Sequence, residues 1–285
     1  MILPNFLIIG AARSGTTGLY NNILQHPEID MPVKKEIHFF SHKYEMGLDY
    51  YKSYFKNFTN SVIGEASVSY TYPHDYNIAQ RICDTLGNTV KIVYMIREPV
   101  ARTISHYNYY RYYGLKEDMD IEQALEEKPI YKGTSRYSAF ISQYEEVFGR
   151  SNMHIMVFEE YIKNPLASLR DLFDFLEVDT EFIPKDADKK TNETFNYRYK
   201  PLYKMYFKLS RSPLRFAIES SIDPSRRKRA RNFIRSILGS SRTVTVDENI
   251  RKMLISEFRP EIEKLENILD RDLSIWMNQY EKGNR

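Results

Sequence analysis

The 285-residue chain holds a single cysteine, Cys83. One thiol excludes an internal disulfide framework and a cysteine-rich metal site. Set in Arg-Ile-Cys-Asp on a helical stretch, it reads as a buried structural thiol. His, Cys and Asp side chains do not cluster as ligands, so no metal is expected. Long apolar runs are also missing. No stretch approaches the roughly 18 apolar residues of a membrane span, and the run at residues 6–9 is too short for a signal peptide. The expectation is a soluble, cytoplasmic protein. There is no internal repeat, and a net charge of +3 alone selects no partner.

What is present suits one large α/β domain. A hydrophobic share of 42% is enough for a globular core. Phe6 to Ile9, Val62 to Glu65, Val90 to Ile96 and Met153 to Phe158 read as strands. Helices are expected from Thr16 towards His26, over Ile78–Leu86, after Pro99, over Ser138–Phe148 and over Pro165–Leu176. A last helix runs from Asp247, is perturbed at Pro260 and continues towards Trp276. Strands alternating with helices predict a central parallel sheet flanked by helices, a three-layer, P-loop-like fold.

The first strand runs into Gly10-Ala-Ala-Arg13-Ser14-Gly15-Thr16-Thr17. Gly10 and Gly15 have the separation of a Walker A loop, but Thr16 stands where that loop has its lysine. Backbone N–H groups of Ser14 to Thr17 and the start of a helix can still hold an anion. Arg13 adds a planar cationic fork. The anion is therefore not expected to be an ATP tail. The strand Val90–Ile96 ends in Arg97, with Ser105 two helical turns further on. A Walker B strand would end in an aspartate for Mg²⁺; an arginine there attracts a phosphate monoester directly.

These residues resemble the sulfotransferase family that uses 3′-phosphoadenylyl sulfate, in its glycan-modifying, heparan sulfate sulfotransferase-like branch, bacterial type. Gly10 to Thr16 is similar to that family's first loop. Gln25-His26-Pro27-Glu28 with Lys35-Glu36-Ile37-His38-Phe39-Phe40, and Arg97-Glu98-Pro99-x-x-Arg102-x-x-Ser105, are similar to its later signatures. The similarity covers about residues 5–180 and returns weakly at the C-terminal helix and Trp276. The resemblance implies 3′-phosphoadenylyl sulfate as donor and 3′,5′-ADP as product, with no metal. It places the phosphosulfate on Arg13, Ser14, Gly15, Thr16 and Thr17, and the 3′-phosphate on Arg97 and Ser105. Ser135 and Tyr137, in Gly133-Thr-Ser-Arg-Tyr, become nucleotide-side contacts, and Lys190 belongs to a late loop over the nucleotide. Arg102 is expected to face solvent or another part of the fold.

Sulfuryl transfer to a hydroxyl needs a base for the acceptor proton and cations at the leaving phosphate. Glu65 is the leading base, from its likeness to the family's Glu-Lys-[Thr/Ser]-Pro-x-Tyr segment. The chain departs from that segment at Ala66 and Val68. Glu36 and His38 are second choices for the base or for orienting the acceptor; Lys35 is either a helper or a solvated lysine. The acceptor expected is a saccharide or glycolipid. A P-loop kinase or nucleoside triphosphatase, and a non-catalytic nucleotide- or glycan-binding protein, are the competing readings.

Residues 198–240, a helical insertion within the single domain 1–285, stand apart. They carry twelve Lys/Arg against Glu219 and Asp223, a local charge of +10. Asp223-Pro224 can open a helix that ends at Gly239. Three readings stay open: a solvated helical pair, an anionic-glycan groove, or a peripheral contact with the inner face of the membrane. No nucleic-acid recognition motif accompanies the charge.

Overall fold

The computed structural model describes residues 3–74, 77–114, 117–185, 187, 196–197, 239–240 and 246–282. Lys190 and nearly all of the basic segment lie outside them. Five strands form one parallel sheet: β1 (Phe6–Gly10), β2 (Ile29–Asp30), β3 (Val62–Ala66), β4 (Lys91–Ile96) and β5 (Met153–Val157), in the order β2-β3-β1-β4-β5. The two-residue β2 is the one strand of this sheet that the sequence pattern did not announce. Gly239–Ser240, expected to close a helix, pairs instead antiparallel with Asn196–Tyr197.

The helices used below are α1 (Thr16–Ile23), α2 (Ile78–Leu86), α3 (Pro99–Asn108), α4 (Tyr137–Phe148), α5 (Pro165–Leu176), α6 (Glu248–Leu269) and α7 (Ser274–Lys282). The central strands are apolar on both faces because helices cover both. Leu7, Ile9, Ile92, Tyr94 and Ile96 share a core with α2, α4, α6 and α7. Phe6, Ile8, Val93 and Met95 pack with Leu19 and Ile23 of α1 and with Leu169, Leu172 and Phe173 of α5. The expected three-layer α/β fold is thus the observed one.

Local chemistry sets the helix starts. Asn77 caps α2 through Gln80 N, and Asn164 caps α5 with Pro165 in its first turn. Helix α6 runs as one helix through Pro260, where a perturbation was expected. Its stripe Ile250, Leu254, Phe258, Ile262 and Leu265 is buried, and Glu261 accepts from Ser138 N (2.7 Å) and Ser138 Oγ (3.0 Å) at the start of α4. That burial outweighs the one backbone hydrogen bond a proline removes.

Candidate active site

The site lies at the carboxyl ends of β1, β3 and β4, where open parallel sheets bind ligands. The loop after β1 is tied to β4 by Ala11 N donating to Met95 O (2.7 Å). Gly15 opens α1 with φ +87°, and a Cβ there would meet the Phe158 ring at 2.6 Å. Both the left-handed backbone and the close approach require glycine. Thr16 begins α1 directly behind it, so the loop's N–H groups and the helix start gather at one point.

Three residues far apart in the chain meet at this loop. Arg13 Nε donates to Ser105 Oγ (3.2 Å) and its guanidinium lies 4.9 Å over the Tyr109 ring. Arg97 Nη1 donates to Arg13 O (3.0 Å), with its guanidinium 4.9 Å over the Phe158 ring. Ser14 Oγ and Arg97 Nε are buried with no hydrogen-bond partner. Buried polar atoms are rarely left unpaired, and these two are donors beside a cationic loop. They fit an incoming anion.

Behind this layer stands a second arginine. Arg102 is fully buried; of its two expected positions, the fold interior is the observed one. Nε donates to Ser135 Oγ (2.5 Å), Nη1 to Ala12 O (3.4 Å) and His106 Nδ1 (3.1 Å), and Nη2 to Thr103 Oγ1 (3.2 Å) and the Tyr131 carbonyl. Burial, then Arg102 and Arg13, hold His106 well below its ordinary pKa, so its ring accepts this bond as a neutral imidazole. Ser135 Oγ also donates to Pro99 O (3.1 Å), and Tyr137 OH donates to Arg97 O (2.8 Å). Both residues, expected on the nucleotide, give their hydroxyls to the protein and hold the β4–α3 junction from behind. Glu98 is 1% exposed and caps α3 through Val100 N and Ala101 N. Tyr280 OH of α7 donates to it at 2.5 Å.

The two carboxylates of the site differ sharply. Glu65, at the end of β3, is 1% exposed. Tyr70 OH (2.8 Å) and Tyr51 OH (3.1 Å) donate to one oxygen, and Ser67 Oγ donates to the other. Burial pushes its pKa up against the pull of these hydroxyls. Glu36 is 35% exposed in its side chain and holds His38 Nε2 at 3.3 Å and Lys35 Nζ at 3.2 Å. Burial acts to raise its pKa, but the His38 hydrogen bond and the charges of Lys35 and His38 outweigh it, and the carboxyl is held below its ordinary value. Lys35 Nζ also reaches Thr16 Oγ1 and Thr17 Oγ1, each at 3.4 Å. His38 is oriented by Ser69 Oγ at Nδ1 (2.7 Å), and its backbone N–H donates to Ser67 Oγ (2.9 Å).

A cleft of about 400 Å³ is lined by His42, Tyr72, His74, Tyr110, Pro129 and Ile130 among others. The His38 and His42 rings are 5.5 Å apart. Sequence reasoning passed over Tyr51, Ser67, Tyr70, His106 and Tyr109. Only Ser67 and Tyr70 carried a signal, their place in Glu-Ala-Ser-Val-Ser-Tyr.

Fold and site together define an α/β protein of the P-loop-like kind whose first loop gathers Arg13 and Arg97 and has no loop lysine. The chain belongs to the sulfotransferase domain family, whose model matches residues 3–205. It is 37% identical over 113 residues to a Dictyostelium discoideum protein named membrane-associated sulfotransferase kil1, covering 38% of this chain and 23% of that protein. To mouse heparan sulfate glucosamine 3-O-sulfotransferase 5 it is 26% identical over 193 residues, covering 62% of this chain and 54% of the relative. The chain thus spans about half or less of the length of these relatives. A crystal structure of a sulfotransferase from Alicyclobacillus acidocaldarius superposes with a TM-score of 0.70 at 25% identity, covering 97% of this chain and all of that one.

Proposed function

We propose that the protein transfers a sulfuryl group from 3′-phosphoadenylyl sulfate to a hydroxyl of a saccharide acceptor, with 3′,5′-ADP as product. The observation that carries this reading is the meeting of Arg13, Arg97 and Ser105 at the glycine loop, with Ser14 Oγ and Arg97 Nε buried and unpaired. The donor supplies an activated sulfuryl group. Ser14 to Thr17 and Arg13 hold its phosphosulfate end, and Arg97 with Ser105 hold the 3′-phosphate. Ser135 and Tyr137 support these residues; Lys190 keeps the late-loop role outside the described residues.

Glu36, rather than Glu65, takes the base role in this reading. A base must reach the acceptor proton. Glu36 is held ionised and keeps 35% of its side chain exposed, whereas Glu65 is buried and its oxygens are filled by hydroxyls. His38 orients Glu36 and the acceptor, and the cleft of Tyr72 and Tyr110 receives the sugar ring.

Saccharide as acceptor draws on the names of the heparan sulfate relatives. A cytoplasmic place, a single domain over 1–285, and contact of 198–240 with the inner membrane face belong to the same proposal. The relative named membrane-associated is consistent with that contact, and among the described residues no helix is long and apolar enough to cross a membrane. Thermal shift tests the donor reading. Stabilisation by 3′,5′-ADP without Mg²⁺ and little by ATP with Mg²⁺ is expected; the reverse result returns the chain to the nucleoside triphosphatases.

A further inference from the structure

The glycine loop has no lysine of its own, yet one ammonium reaches it from another segment. Lys35 Nζ lies 3.4 Å from Thr16 Oγ1 and from Thr17 Oγ1, and 3.2 Å from Glu36 Oε1. The fold delivers it there. Glu36 N donates to Ala66 O (2.9 Å) at the end of β3, and Glu36 itself takes φ +67°. A lysine has three N–H donors and no acceptor. Here the ammonium bridges two neutral hydroxyls at the start of α1 and the half-exposed Glu36 carboxylate. An anion seated on the helix start enters beside those hydroxyls and competes with Glu36 for the ammonium.

We propose that Lys35 is a catalytic cation that passes from Glu36 to the donor's phosphosulfate when the loop fills, leaving Glu36 to take the acceptor proton. The proposal rests on the sulfuryl-transfer reading above. In the step, the bond from sulfur to the 5′-phosphate oxygen breaks as the bond from the acceptor oxygen to sulfur forms. The acceptor proton goes to Glu36. The electron pair of the broken bond stays on the phosphate oxygen, where Lys35 Nζ and Arg13 steady the charge. Before the donor arrives, Lys35 and His38 hold Glu36 ionised. Departure of Lys35 gives the carboxylate back its proton affinity only when a sulfuryl group is in place to be transferred.

A double-mutant cycle read by calorimetric binding of 3′,5′-ADP tests this, because the cycle isolates pairwise coupling. Glu36→Gln removes the competing partner of Lys35 and is expected to tighten 3′,5′-ADP about three- to tenfold. In a Lys35→Met background the same change is expected to leave the affinity within about twofold. Lys35→Met is also expected to weaken the intact donor more than 3′,5′-ADP, which lacks the sulfuryl group, while Lys35→Arg recovers most of the donor affinity. Equal tightening by Glu36→Gln in both backgrounds, or equal loss of donor and product in Lys35→Met, overturns the Lys35 proposal alone. Absence of 3′,5′-ADP binding by the wild type overturns the donor reading as well. Thermal unfolding of each variant confirms that the folded protein is being compared.

Discussion

The two halves of the site are built in opposite ways. The donor half is a rigid stack: the loop after β1, Arg97 at the end of β4, and α3 behind them, pinned by Arg102, Ser135, Tyr137 and the Glu98–Tyr280 contact. The acceptor half is a short irregular segment, Lys35 to His38, laid across the ends of β3 and α1, with the His38 ring 5.5 Å from that of His42 in the cleft wall. Among the described residues, five non-glycine residues have positive φ. Glu177 and Asp270 close helices, a common place for that conformation. The other three are Arg13, Glu36 and His38, one in the donor half and two in the acceptor half. Left-handed backbone is costly for such side chains and collects at functional sites. On the function proposed above, buried backing holds the nucleotide end, while left-handed, half-exposed backbone presents the group that meets the acceptor.

The sharpest way to break this contrast is to remove the acceptor-half carboxylate. Glu36→Gln is expected to lower kcat with labelled donor about 100- to 10,000-fold, the usual contribution of a general base, while 3′,5′-ADP still binds. Loss of turnover in Glu65→Gln, with Glu36→Gln active, would return the base to the buried residue.

Arg102 tests the backing of the donor half. Its charge is buried with five hydrogen bonds and no carboxylate among those acceptors. Arg102→Met leaves the Ala12, Tyr131 and Ser135 acceptors short of a donor and is expected to cost about 1–3 kcal/mol of folding stability for a buried acceptor left unpaired, read by urea unfolding. Stability unchanged within about 1 kcal/mol would show that the stack is not what holds the loop. Arg97→Ala probes the face of the same stack. A hydrogen bond to a charged group contributes about 1.5–3 kcal/mol, so the Kd for 3′,5′-ADP should rise about 10- to 150-fold, with stability little changed.

How far the sequence spoke follows the same division. The glycine loop, Arg97 and Ser105 were legible because strand, turn and helix start are local patterns, and their meeting follows from parallel strand order. Arg102 was not placed, because the residues that bury it come from Ala12, Tyr131 and Ser135, none of which its own helix reveals. Glu65 is named as the base from its likeness to a family segment. Whether a strand-terminal carboxylate faces solvent depends on what folds back over it, here the turn Val68–Thr71 and Tyr51. Burial of that kind is a tertiary property with no period in the sequence. The basic segment's charge was legible, but its place in the fold lies outside the described residues.

The smallest expected effect separates the two carboxylates by proton linkage. A glutamate whose pKa is raised in the folded state binds its proton more tightly there than in the unfolded chain. Its contribution to stability is complete below its ordinary pKa and is lost as pH rises through the raised value. Glu65 and Glu98 are both raised, chiefly by burial, so stability should fall with rising pH just above the ordinary glutamate range. Glu36 is lowered and acts in the opposite sense, its stabilising charge vanishing as pH drops through its own value. One group alone can tilt the curve by at most about 1.4 kcal/mol per pH unit. Unfolding free energies across that window should therefore show a shallower decline in Glu65→Gln than in the wild type. Glu36→Gln should instead remove part of the fall in stability as pH drops below the ordinary glutamate range. If Glu65→Gln leaves the slope untouched, its carboxyl titrates like a solvated one, and the burial that argues against Glu65 as the base is absent in solution.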